Sequence, residues 1–433
     1  MQYKKKKSSY SDIIERLSNT YYNNSSSHIA LLKKQAYLYI NSRLQKKDIH
    51  MNIGYDGKRA YQNKMGLGNY SRSLITILSR QYPQNSYTVF APKFTTLFNS
   101  VTFLNVQAVF PQTALGKKFP ALWRRKKMLK DILHNNIDVY HGLSNELPGG
   151  IEKTNVKTVV TVHDLIYERY PETYTLDVRY ISRWKIKAAC KNSNAIIAIS
   201  QQTKNDLVNY YKVDENKISI CYQTCNPIFQ RLVDQQEKNI VKERYNLPHK
   251  YFLFVSSITG RKNLIAICKA MVLSKNKINI PLVIIGDGKK EKEEAKHFMQ
   301  INDMANNLVF LNELSQSKES NFVDAIDFPA IYQQALALIY PSIFEGFGLP
   351  LLEALYSGLP IISSNTSSLP EVGGDAALYF APHDHATLAQ LMINVATDDT
   401  LIKAMRDKGF TQAEKFSPAK CGENVMNVYQ KLL

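Results

Sequence analysis

The stretch FEGFGLPLLEALYSG, residues 344–358, places two glutamates, Glu345 and Glu353, on either side of two glycines and a proline. Glycines permit unusual dihedral angles and close backbone approach, and Pro350 suits the first turn of a helix that Gly358 would end. The stretch therefore predicts a loop followed by a helix. Amide groups at the start of such a helix favour an anion such as a phosphate.

The two glutamates have two interpretations on this stretch alone. Carboxylates can accept hydrogen bonds from hydroxyl groups, so a diphosphate on the amides with hydroxyls on Glu345 and Glu353 would suit a sugar nucleotide. The same residues would also occur on an ordinary capped surface helix, where acidic side chains stabilise the first turn. The stretch by itself leaves both interpretations open.

Length and composition bound the class of protein. A chain of 433 residues is too long for one compact core and predicts two domains, and an apolar content of 44% is ordinary for a soluble globular protein. No apolar run approaches the roughly 18 residues that a membrane span needs, and the N-terminus lacks the apolar core of a signal peptide, so we expect a cytoplasmic protein. The five cysteines contain no CxxC pair, which predicts buried free thiols.

The formal charge of +18 is concentrated in two segments. Residues 1–50 carry ten basic and three acidic residues, and residues 116–133, GKKFPALWRRKKMLKDIL, carry seven basic residues against Asp131. The second segment has two interpretations: a basic amphipathic helix with Trp123 near its start, lying on an anionic membrane surface at the inner face of the membrane, or a solvated basic face over a buried apolar one. Nucleic-acid binding is not expected, because no recognised motif accompanies the charge.

The order of apolar runs predicts the domain organisation. Residues 1–50 read as a basic N-terminal extension, and from Met51 short β-rich runs alternate with helical patterns in two successive series, which predicts two α/β units with parallel sheets. The predicted domains are residues 51–230 and residues 231–415. A last helix, residues 416–433, is expected to pack back on the first domain.

From Met51 to the C-terminus the chain resembles glycosyltransferase family 4, the retaining enzymes of the two-Rossmann GT-B architecture. Four motifs carry the resemblance in the family's order: MGLGNYSRSL, TVHDLIYERYPE, FVSSITGRKN and IYPSIFEGFGLPLLEALYSGLPIISSNTSSLPEVGGDAALYF. The last contains the family's pair of glutamates separated by seven residues. The resemblance implies an α/β GT-B fold, in which two Rossmann-like domains have parallel sheets that face a central cleft.

The resemblance implies a donor site in the C-terminal domain. Glu353 matches the glutamate that binds the ribose, and Glu345 matches the one that faces the donor sugar. Lys262, with Arg261, would neutralise the leaving diphosphate, although many relatives place an arginine just after the preceding strand, where this chain has Ser256. Sugar hydroxyls and phosphate would meet the loop amides of Gly346, Phe347, Gly348 and Leu349.

The N-terminal domain contributes further candidates. His163 matches the histidine that relatives place beside the transferred sugar, and Asp164 would either orient it or cap the next helical turn. Asn226 lies where relatives lead from the first domain into the second. Close approach to the phosphate or acceptor is expected at a glycine-containing loop formed by Gly66, Leu67 and Gly68.

The sequence favours a metal-independent enzyme with no cofactor beyond its substrates. No two aspartates are separated by one residue, so the DxD motif that holds a divalent ion on the diphosphate is absent, and helix amides with Lys262 would replace the metal. The resulting prediction is a retaining glycosyltransferase that moves a hexose from a UDP- or GDP-linked donor to a hydroxyl of a glycan or lipid-linked acceptor in surface polysaccharide or lipopolysaccharide biosynthesis. Retention in the family is commonly explained by front-face attack, which suits a Glu345 that holds the sugar.

Two other functions stay open at this point. A sugar-nucleotide epimerase of the same fold would bind the same donor and convert it without an acceptor. A non-catalytic, membrane-associated assembly protein would retain the fold with a vestigial donor site, although Glu345, Glu353 and Lys262 at their motif positions disfavour it. A nicotinamide dehydrogenase is disfavoured because the third glycine of the dinucleotide fingerprint is missing.

Overall fold

Parallel strands with helices between them account for most of the chain. The structure is a computed structural model that describes residues 50–433, of which residues 51–433 form one unit. The predicted N-terminal extension, residues 1–50, therefore lies outside the described residues apart from His50. Two sheets are present in the described residues, as the two series of apolar runs predict.

The first sheet has seven strands, all parallel, in the order β3-β2-β1-β4-β5-β6-β7. The strands of this sheet are β1 (Asn52–Asp56), β2 (Ser86–Phe90), β3 (Val106–Val109), β4 (Val139–Gly142), β5 (Lys157–Val162), β6 (Ala195–Ala198) and β7 (Ile218–Ile220). Central residues such as Val159 and Ile197 are fully buried because helices cover both faces.

The second sheet has six parallel strands in the order β10-β9-β8-β11-β12-β13. Its strands are β8 (Phe252–Val255), β9 (Leu282–Ile285), β10 (Leu308–Phe310), β11 (Leu338–Tyr340), β12 (Ile361–Ser364) and β13 (Ala377–Phe380). The strand order reverses between β8 and β11. Ligands of open parallel sheets bind at the carboxyl ends of the strands that flank such a reversal.

Helices connect the strands and cover the sheets. In the first half they are α1 (Lys58–Gln62), α2 (Gly66–Gln81), α3 (Ala114–Lys118), α4 (Pro120–Leu122), α5 (Met128–His134), α6 (Ile166–Arg169), α7 (Leu176–Asn192) and α8 (Gln201–Tyr211). In the second half they are α9 (Gln235–Arg244), α10 (Leu264–Ser274), α11 (Lys290–Gln300), α12 (Ser320–Val323), α13 (Phe328–Gln334), α14 (Leu349–Tyr356), α15 (Leu369–Gly373), α16 (His385–Thr397), α17 (Asp399–Ala413) and α18 (Pro418–Gln430).

The chain passes between the two sheets twice. The first passage follows β7 and leads into helix α9, whose N-terminus is capped by Asp234. This helix buries only Val241, which explains why its sequence is mostly polar. The second passage leads into α18. This last helix lies against the first sheet, where Gln81 Nε2 donates to the carbonyl of Pro418 at 3.0 Å and the Tyr429 hydroxyl lies 2.6 Å from His141 Nδ1.

The basic segment, residues 116–133, does not present its tryptophan to the surface. A π-helical turn at Trp123–Lys127 joins α4 to α5. Trp123 is 3% exposed and packs with Met128 and Ile132 in the core, and its indole N–H donates to Asp131 at 2.7 Å. Of the two interpretations of this segment, the burial of Trp123 favours the basic face over a buried apolar one and not a Trp123 on a lipid surface, because its apolar side packs with Phe90 and Tyr140 of the first sheet.

Arg124, the first arginine of that segment, also points inward. Its guanidinium pairs with the buried carboxylate of Asp56 at the end of β1 and with Glu146 in the loop after β4. Lys185 from α7 contacts the second oxygen of Glu146 at 2.7 Å. Arg124 is thus part of an ion-pair cluster at the carboxyl edge of the first sheet.

Two further expectations concern cysteines and membrane spans. All five cysteines are buried as free thiols, as predicted. Within residues 50–433, no helix combines the length and the apolar character needed to cross a bilayer.

Candidate active site

Glu345 lies in the loop that leads from β11 to α14. The residue is 7% exposed, and its carboxylate accepts hydrogen bonds from Lys262, Ser342 and the hydroxyl of Tyr340, the last at 3.1 Å. Arg261 Nη1 lies 3.2 Å from the second oxygen. Burial alone would raise the pKa of Glu345, but the positive charges of Lys262 and Arg261 hold it below its usual value, so the carboxylate is ionised.

The two cations come from the other strand of the reversal. Arg261 and Lys262 lie in a 3-10 turn, Gly260–Lys262, that follows β8, while Glu345 follows its neighbour β11. The peptide N–H of Ile343 donates to the carbonyl of Arg261 at 2.9 Å, which ties the two loops together. Burial lowers the pKa of Lys262 in spite of the nearby carboxylate of Glu345. The sequence-predicted Glu345, Arg261 and Lys262 are therefore in contact.

The predicted loop and helix of residues 344–358 are both present. Gly348 caps α14 with a φ of 109°, and Gly358 ends it with a φ of 65°, two left-handed conformations that favour glycine. Pro350 lies in the first turn. The start of α14 therefore directs its amides to the carboxyl edge of the second sheet, beside Glu345.

The loop before α14 touches the first domain. A Cβ on Gly346 would lie 2.4 Å from the carbonyl oxygen of His163, so only glycine permits this approach. The hydroxyl of Ser200 donates to the carbonyl of Gly346 at 2.7 Å. Phe347 turns its ring into the core, against Tyr222. The carboxyl edges of the two sheets consequently meet at this loop, and the residues along them form the two walls of one cleft.

His163 follows β5 and is buried. Its Nε2 donates to the carbonyl of Leu143 at 2.9 Å, and its ring meets the ring of Tyr70 edge-on. Burial, with a smaller contribution from the charge of Arg59, lowers the pKa of His163 to about 4, although the hydrogen bond to Leu143 opposes the shift. At neutral pH the imidazole is therefore uncharged, with Nδ1 as the nitrogen that can accept a hydrogen bond.

Asp164 performs the second of its two predicted tasks. Its carboxylate accepts from the peptide N–H of Ile166 at 3.2 Å and so caps the turn that follows. Burial raises the pKa of Asp164, and the charge of Glu345 raises it further, whereas Arg261 and Lys262 oppose the rise. Asp164 thus faces the charged cluster across the cleft.

Glu353 lies inside α14 and is partly buried. Its Oε2 accepts a hydrogen bond from the hydroxyl of Tyr332 at 2.7 Å. Burial raises the pKa of Glu353 to about 7, even though the hydrogen bond from Tyr332 opposes the rise. Among residues 50–433, no cation offsets the burial of Glu353 as Lys262 does for Glu345, so the two glutamates of the motif differ in charge state near neutral pH.

Gly66, Leu67 and Gly68 form the first turn of α2 and not the loop that was expected before it, because the helix already begins at Gly66. A Cβ on Gly68 would overlap the carbonyl oxygen of Asn63 at 1.7 Å, whereas one on Gly66 would have Leu349 of α14 as its nearest neighbour, at 3.9 Å. Gly66 therefore faces the C-terminal domain, and Gly68 allows the first turn of α2 to pack against the backbone of Asn63. Leu67 lies between them and is partly exposed.

Asn226 is not brought into this cluster. Its side chain is exposed to solvent and accepts from the peptide N–H of Ile228 at 3.1 Å, which caps the short helix Pro227–Gln230 in the passage between the sheets. The structure thus gives Asn226 a capping contact, and its predicted place in the site stays a prediction.

Two family descriptions match most of the chain. The family described as Glycosyltransferase Family 4 matches residues 66–227, and the family described as Glycosyl transferases group 1 matches residues 235–412. The chain is a GT-B glycosyltransferase. The family resemblance drawn from the four motifs is confirmed.

Curated relatives of this glycosyltransferase are named as mannosyltransferases. O-antigen chain mannosyltransferase B of Escherichia coli is 26% identical over 298 residues, which are 68% of this chain and 74% of the relative. The serotype-specific mannosyltransferase WbdA of Escherichia coli is 27% identical over 302 residues, or 69% of this chain, but the match spans only 36% of that longer protein.

Solved structures confirm the GT-B fold of the glycosyltransferase. A glycosyltransferase from Rickettsia africae aligns with a TM-score of 0.67 at 17% identity, covering 88% of this chain and 98% of that one. WaaG, a glycosyltransferase involved in lipopolysaccharide biosynthesis, aligns with a TM-score of 0.61 at 16% identity, covering 88% and 99%. The Anabaena protein HepE in complex with UDP-glucose aligns with a TM-score of 0.67 at 15% identity, covering 88% and 100%.

Several side chains that support the site of the glycosyltransferase were not identified from the sequence. The hydroxyl groups of Tyr340 and Ser342 bind Glu345, and Ser367 accepts from its peptide N–H at 2.9 Å. Tyr340 and Ser342 belong to the quoted motif, in IYPS, so their position after a strand was the available signal. Tyr332, which binds Glu353, lies on a different helix and has no local signal.

Proposed function

We propose that the protein is a retaining, metal-independent glycosyltransferase that moves a hexose, in first place mannose, from a nucleotide diphosphate sugar to a hydroxyl of a glycan or lipid-linked acceptor in surface polysaccharide biosynthesis. The observation that carries the proposal is the contact of Glu345 with Lys262 and Arg261 beside the amides of α14. Mannose is favoured because the two Escherichia coli relatives described above are named mannosyltransferases.

The cations suit a diphosphate leaving group. When the bond between sugar and phosphate breaks, negative charge develops on the diphosphate, and preorganised cations and amides stabilise that charge. Lys262 and Arg261 lie next to the start of α14, where the helix amides add to their effect. These groups supply the charge that a metal ion provides in other transferases, which supports the metal-independent part of the proposal.

The role of Glu345 follows from its contacts. Three donors and Arg261 surround its carboxylate and lower its basicity, so it is poorly suited to attack the sugar as a nucleophile. It is suited to hold hydroxyl groups of the sugar and to orient Lys262. This supports front-face attack, in which the leaving phosphate oxygen takes the proton of the acceptor hydroxyl.

The ribose and the acceptor would bind to opposite walls of the cleft. Glu353, with a pKa of about 7, can accept hydrogen bonds from ribose hydroxyls. On the opposite wall, the uncharged imidazole of His163 lies behind the loop of Gly346, where the donor sugar would meet the acceptor. The donor nucleotide is either UDP or GDP. HepE, whose structure contains UDP-glucose, is a structural neighbour that supports a nucleotide-sugar donor.

Calorimetric titration with UDP and GDP in the presence of EDTA tests the donor site. We expect one nucleotide to bind, with the affinity lost in Lys262→Ala and Glu353→Ala and retained in Glu215→Gln, a substitution at an exposed ion pair with Lys204 that precedes β7. Transfer of labelled mannose to a glycan acceptor in EDTA tests the reaction. Conversion of the donor sugar without an acceptor would indicate the epimerase instead, and a requirement for a divalent ion would contradict metal independence.

A further inference from the structure

Helix α7, residues Leu176–Asn192, carries apolar side chains on its outer face. Leu176, Tyr180, Ile181 and Trp184 are 67%, 69%, 51% and 63% exposed, while the residues that it buries are small in number and lie in its second half. Leu176, Tyr180 and Trp184 follow one another at intervals of four residues and so form a stripe along one side of the helix. We call these four residues the outer stripe.

Basic side chains continue the outer stripe toward the end of the helix. Lys187 and Lys191 are exposed and follow Trp184 by three and seven residues, on the same side. Asp177 is the acidic residue of this helix. Two other basic residues of α7 are paired within the first domain, Arg183 with Glu168 and Lys185 with Glu146.

The outer stripe begins at the mouth of the cleft. Tyr170 packs its ring against Phe344, the neighbour of Glu345, with centroids 5.8 Å apart. Tyr174 is partly buried, and besides burial the charges of Asp164 and Arg261 act on its pKa, which places its hydroxyl near the charged cluster. Leu176 follows two residues later. A surface that covers the stripe would therefore lie beside the entrance to the site.

We propose that the outer stripe, with Lys187 and Lys191, inserts into the surface of an anionic lipid bilayer and holds the mouth of the cleft at the level of lipid-linked acceptors. A helix that presents tryptophan, tyrosine and aliphatic side chains together with lysines suits the boundary between lipid headgroups and acyl chains. The formal charge of +18 on the chain adds attraction to anionic headgroups. The inference rests on the proposed function only for the nature of the acceptor.

Other occupants suit the outer stripe less well. Leu176 and Ile181 offer no hydrogen-bonding group and no flat ring to a glycan. A second copy of the chain would bring two strongly basic molecules together, which their charge opposes. The basic segment at residues 116–133 is a poorer membrane contact, because Trp123 is buried and Arg124 is paired with Asp56 and Glu146.

Tryptophan fluorescence provides a direct test. The chain has two tryptophans, of which Trp123 is buried and Trp184 lies in the outer stripe, so a change of emission on binding reports on the stripe. Full-length protein is mixed with vesicles of phosphatidylglycerol and phosphatidylethanolamine, or of phosphatidylcholine alone. We expect a blue shift and quenching by brominated acyl chains with the anionic vesicles, and neither in Trp184→Phe, which still sediments with them.

Substitutions separate the apolar and the charged contributions. Leu176→Ser/Ile181→Ser keeps Trp184 as a reporter and should lower the vesicle partition by about tenfold, because apolar burial supports interfacial binding. Lys187→Glu/Lys191→Glu should lower it by about tenfold or more on anionic vesicles, since each basic residue near such a surface adds roughly fivefold. Leu232→Ser/Leu273→Ser, at residues 79% and 62% exposed elsewhere, is the matched control and should bind as the parent does.

The outcomes distinguish this inference from the proposed function. Sedimentation with vesicles that leaves Trp184 emission unchanged, or that survives both stripe variants, would overturn the inference by assigning the contact to another surface. A blue shift that depends on protein concentration without vesicles would overturn it in favour of a second copy. Sugar transfer to a water-soluble acceptor should be equal in the parent and the stripe variants, and a failure of transfer in all of them would count against the proposed function alone.

Discussion

The ammonium group of Lys262 and the carboxylate of Glu345 form a buried ion pair across the two loops that follow β8 and β11. The hydroxyl of Tyr340 lies 3.1 Å from both charged groups, so it accepts from Lys262 Nζ and donates to Glu345 Oε1. Arg261 contacts the other oxygen of the carboxylate. Glu345 therefore occupies the cations that a diphosphate would use, and the two anions must share them.

Replacement of Glu345 by glutamine should separate binding from catalysis. Removal of the carboxylate charge frees Lys262 and Arg261, so we expect the affinity for the nucleoside diphosphate to rise several-fold, roughly 1 kcal/mol. Transfer should fall about 100-fold or more, because the sugar loses its anchor. Calorimetry and a transfer assay on Glu345→Gln, with Glu215→Gln as the control, measure both effects. Weaker nucleotide binding in Glu345→Gln would contradict the competition.

Loss of Lys262 should destabilise the protein through Glu345. In Lys262→Met the carboxylate stays buried beside one cation fewer, a change that typically costs about 3 kcal/mol of unfolding free energy. The double variant Lys262→Met/Glu345→Gln should regain most of that stability. Denaturant unfolding of the parent, both single variants and the double variant measures the coupling, and additive effects would indicate that the two groups act independently.

Stability should depend on pH through Glu353. Its folded pKa of about 7 lies above the usual value of 4.5, so the folded state binds a proton that the unfolded state has released. The unfolding free energy should therefore fall as the pH rises from about 4.5 to 7, by about 3 kcal/mol from this group. Glu353→Gln should lack this part of the pH dependence. Equal pH profiles for parent and variant would show that Glu353 does not carry the shift.

The imidazole of His163 should act without changing its charge. Because its pKa is about 4, it is neutral across the pH range of ordinary assays. His163→Ala should lower transfer while leaving nucleotide binding within a factor of about two, since Lys262 and the amides of α14 lie on the other domain. A step in kcat/KM between about pH 6 and 7 that disappears in His163→Ala would contradict the neutral role.

Two glycines in the first turn of α2 should differ in their tolerance of a methyl group. A Cβ on Gly68 would lie 1.7 Å from the carbonyl oxygen of Asn63, whereas one on Gly66 would lie 3.9 Å from its nearest neighbour. We expect Gly68→Ala to lower the melting temperature by several degrees, corresponding to about 1–3 kcal/mol, and Gly66→Ala to leave it nearly unchanged. Similar losses in both variants would mean that helix propensity rather than contact decides the effect.

The sheets and the turn into α14 could be predicted because their signals are local. Short apolar runs marked the strands, and the glycines with Pro350 marked the turn into α14. The contact between Glu345 and Lys262 could not be derived from spacing, since 83 residues separate them, and it was reached through the family resemblance. The resemblance did not predict the hydroxyl groups that bind the two carboxylates, such as Tyr340 on Glu345 and Tyr332 on Glu353.

The surface was less predictable, because a sequence does not say which side of a helix faces inward. Residues 116–133 combine basic and apolar side chains in a pattern that suits a membrane surface, yet Trp123 is buried and Arg124 finds Asp56, 68 residues away. Helix α7 has a similar mixture and turns Trp184 outward. The difference lies in long-range partners that only the folded chain brings together.

The return of α18 to the first sheet has a mechanical consequence. Since the chain passes between the sheets once beyond β7 and again before Pro418, two separate connections join the domains. A line drawn through these two connections is a natural hinge axis, because rotation of one domain about it strains neither connection. Rotation about another axis would stretch at least one of them. We therefore expect the cleft to open and close by a hinge rotation about this one axis, so that Glu345 and His163 move apart and come together along a single path.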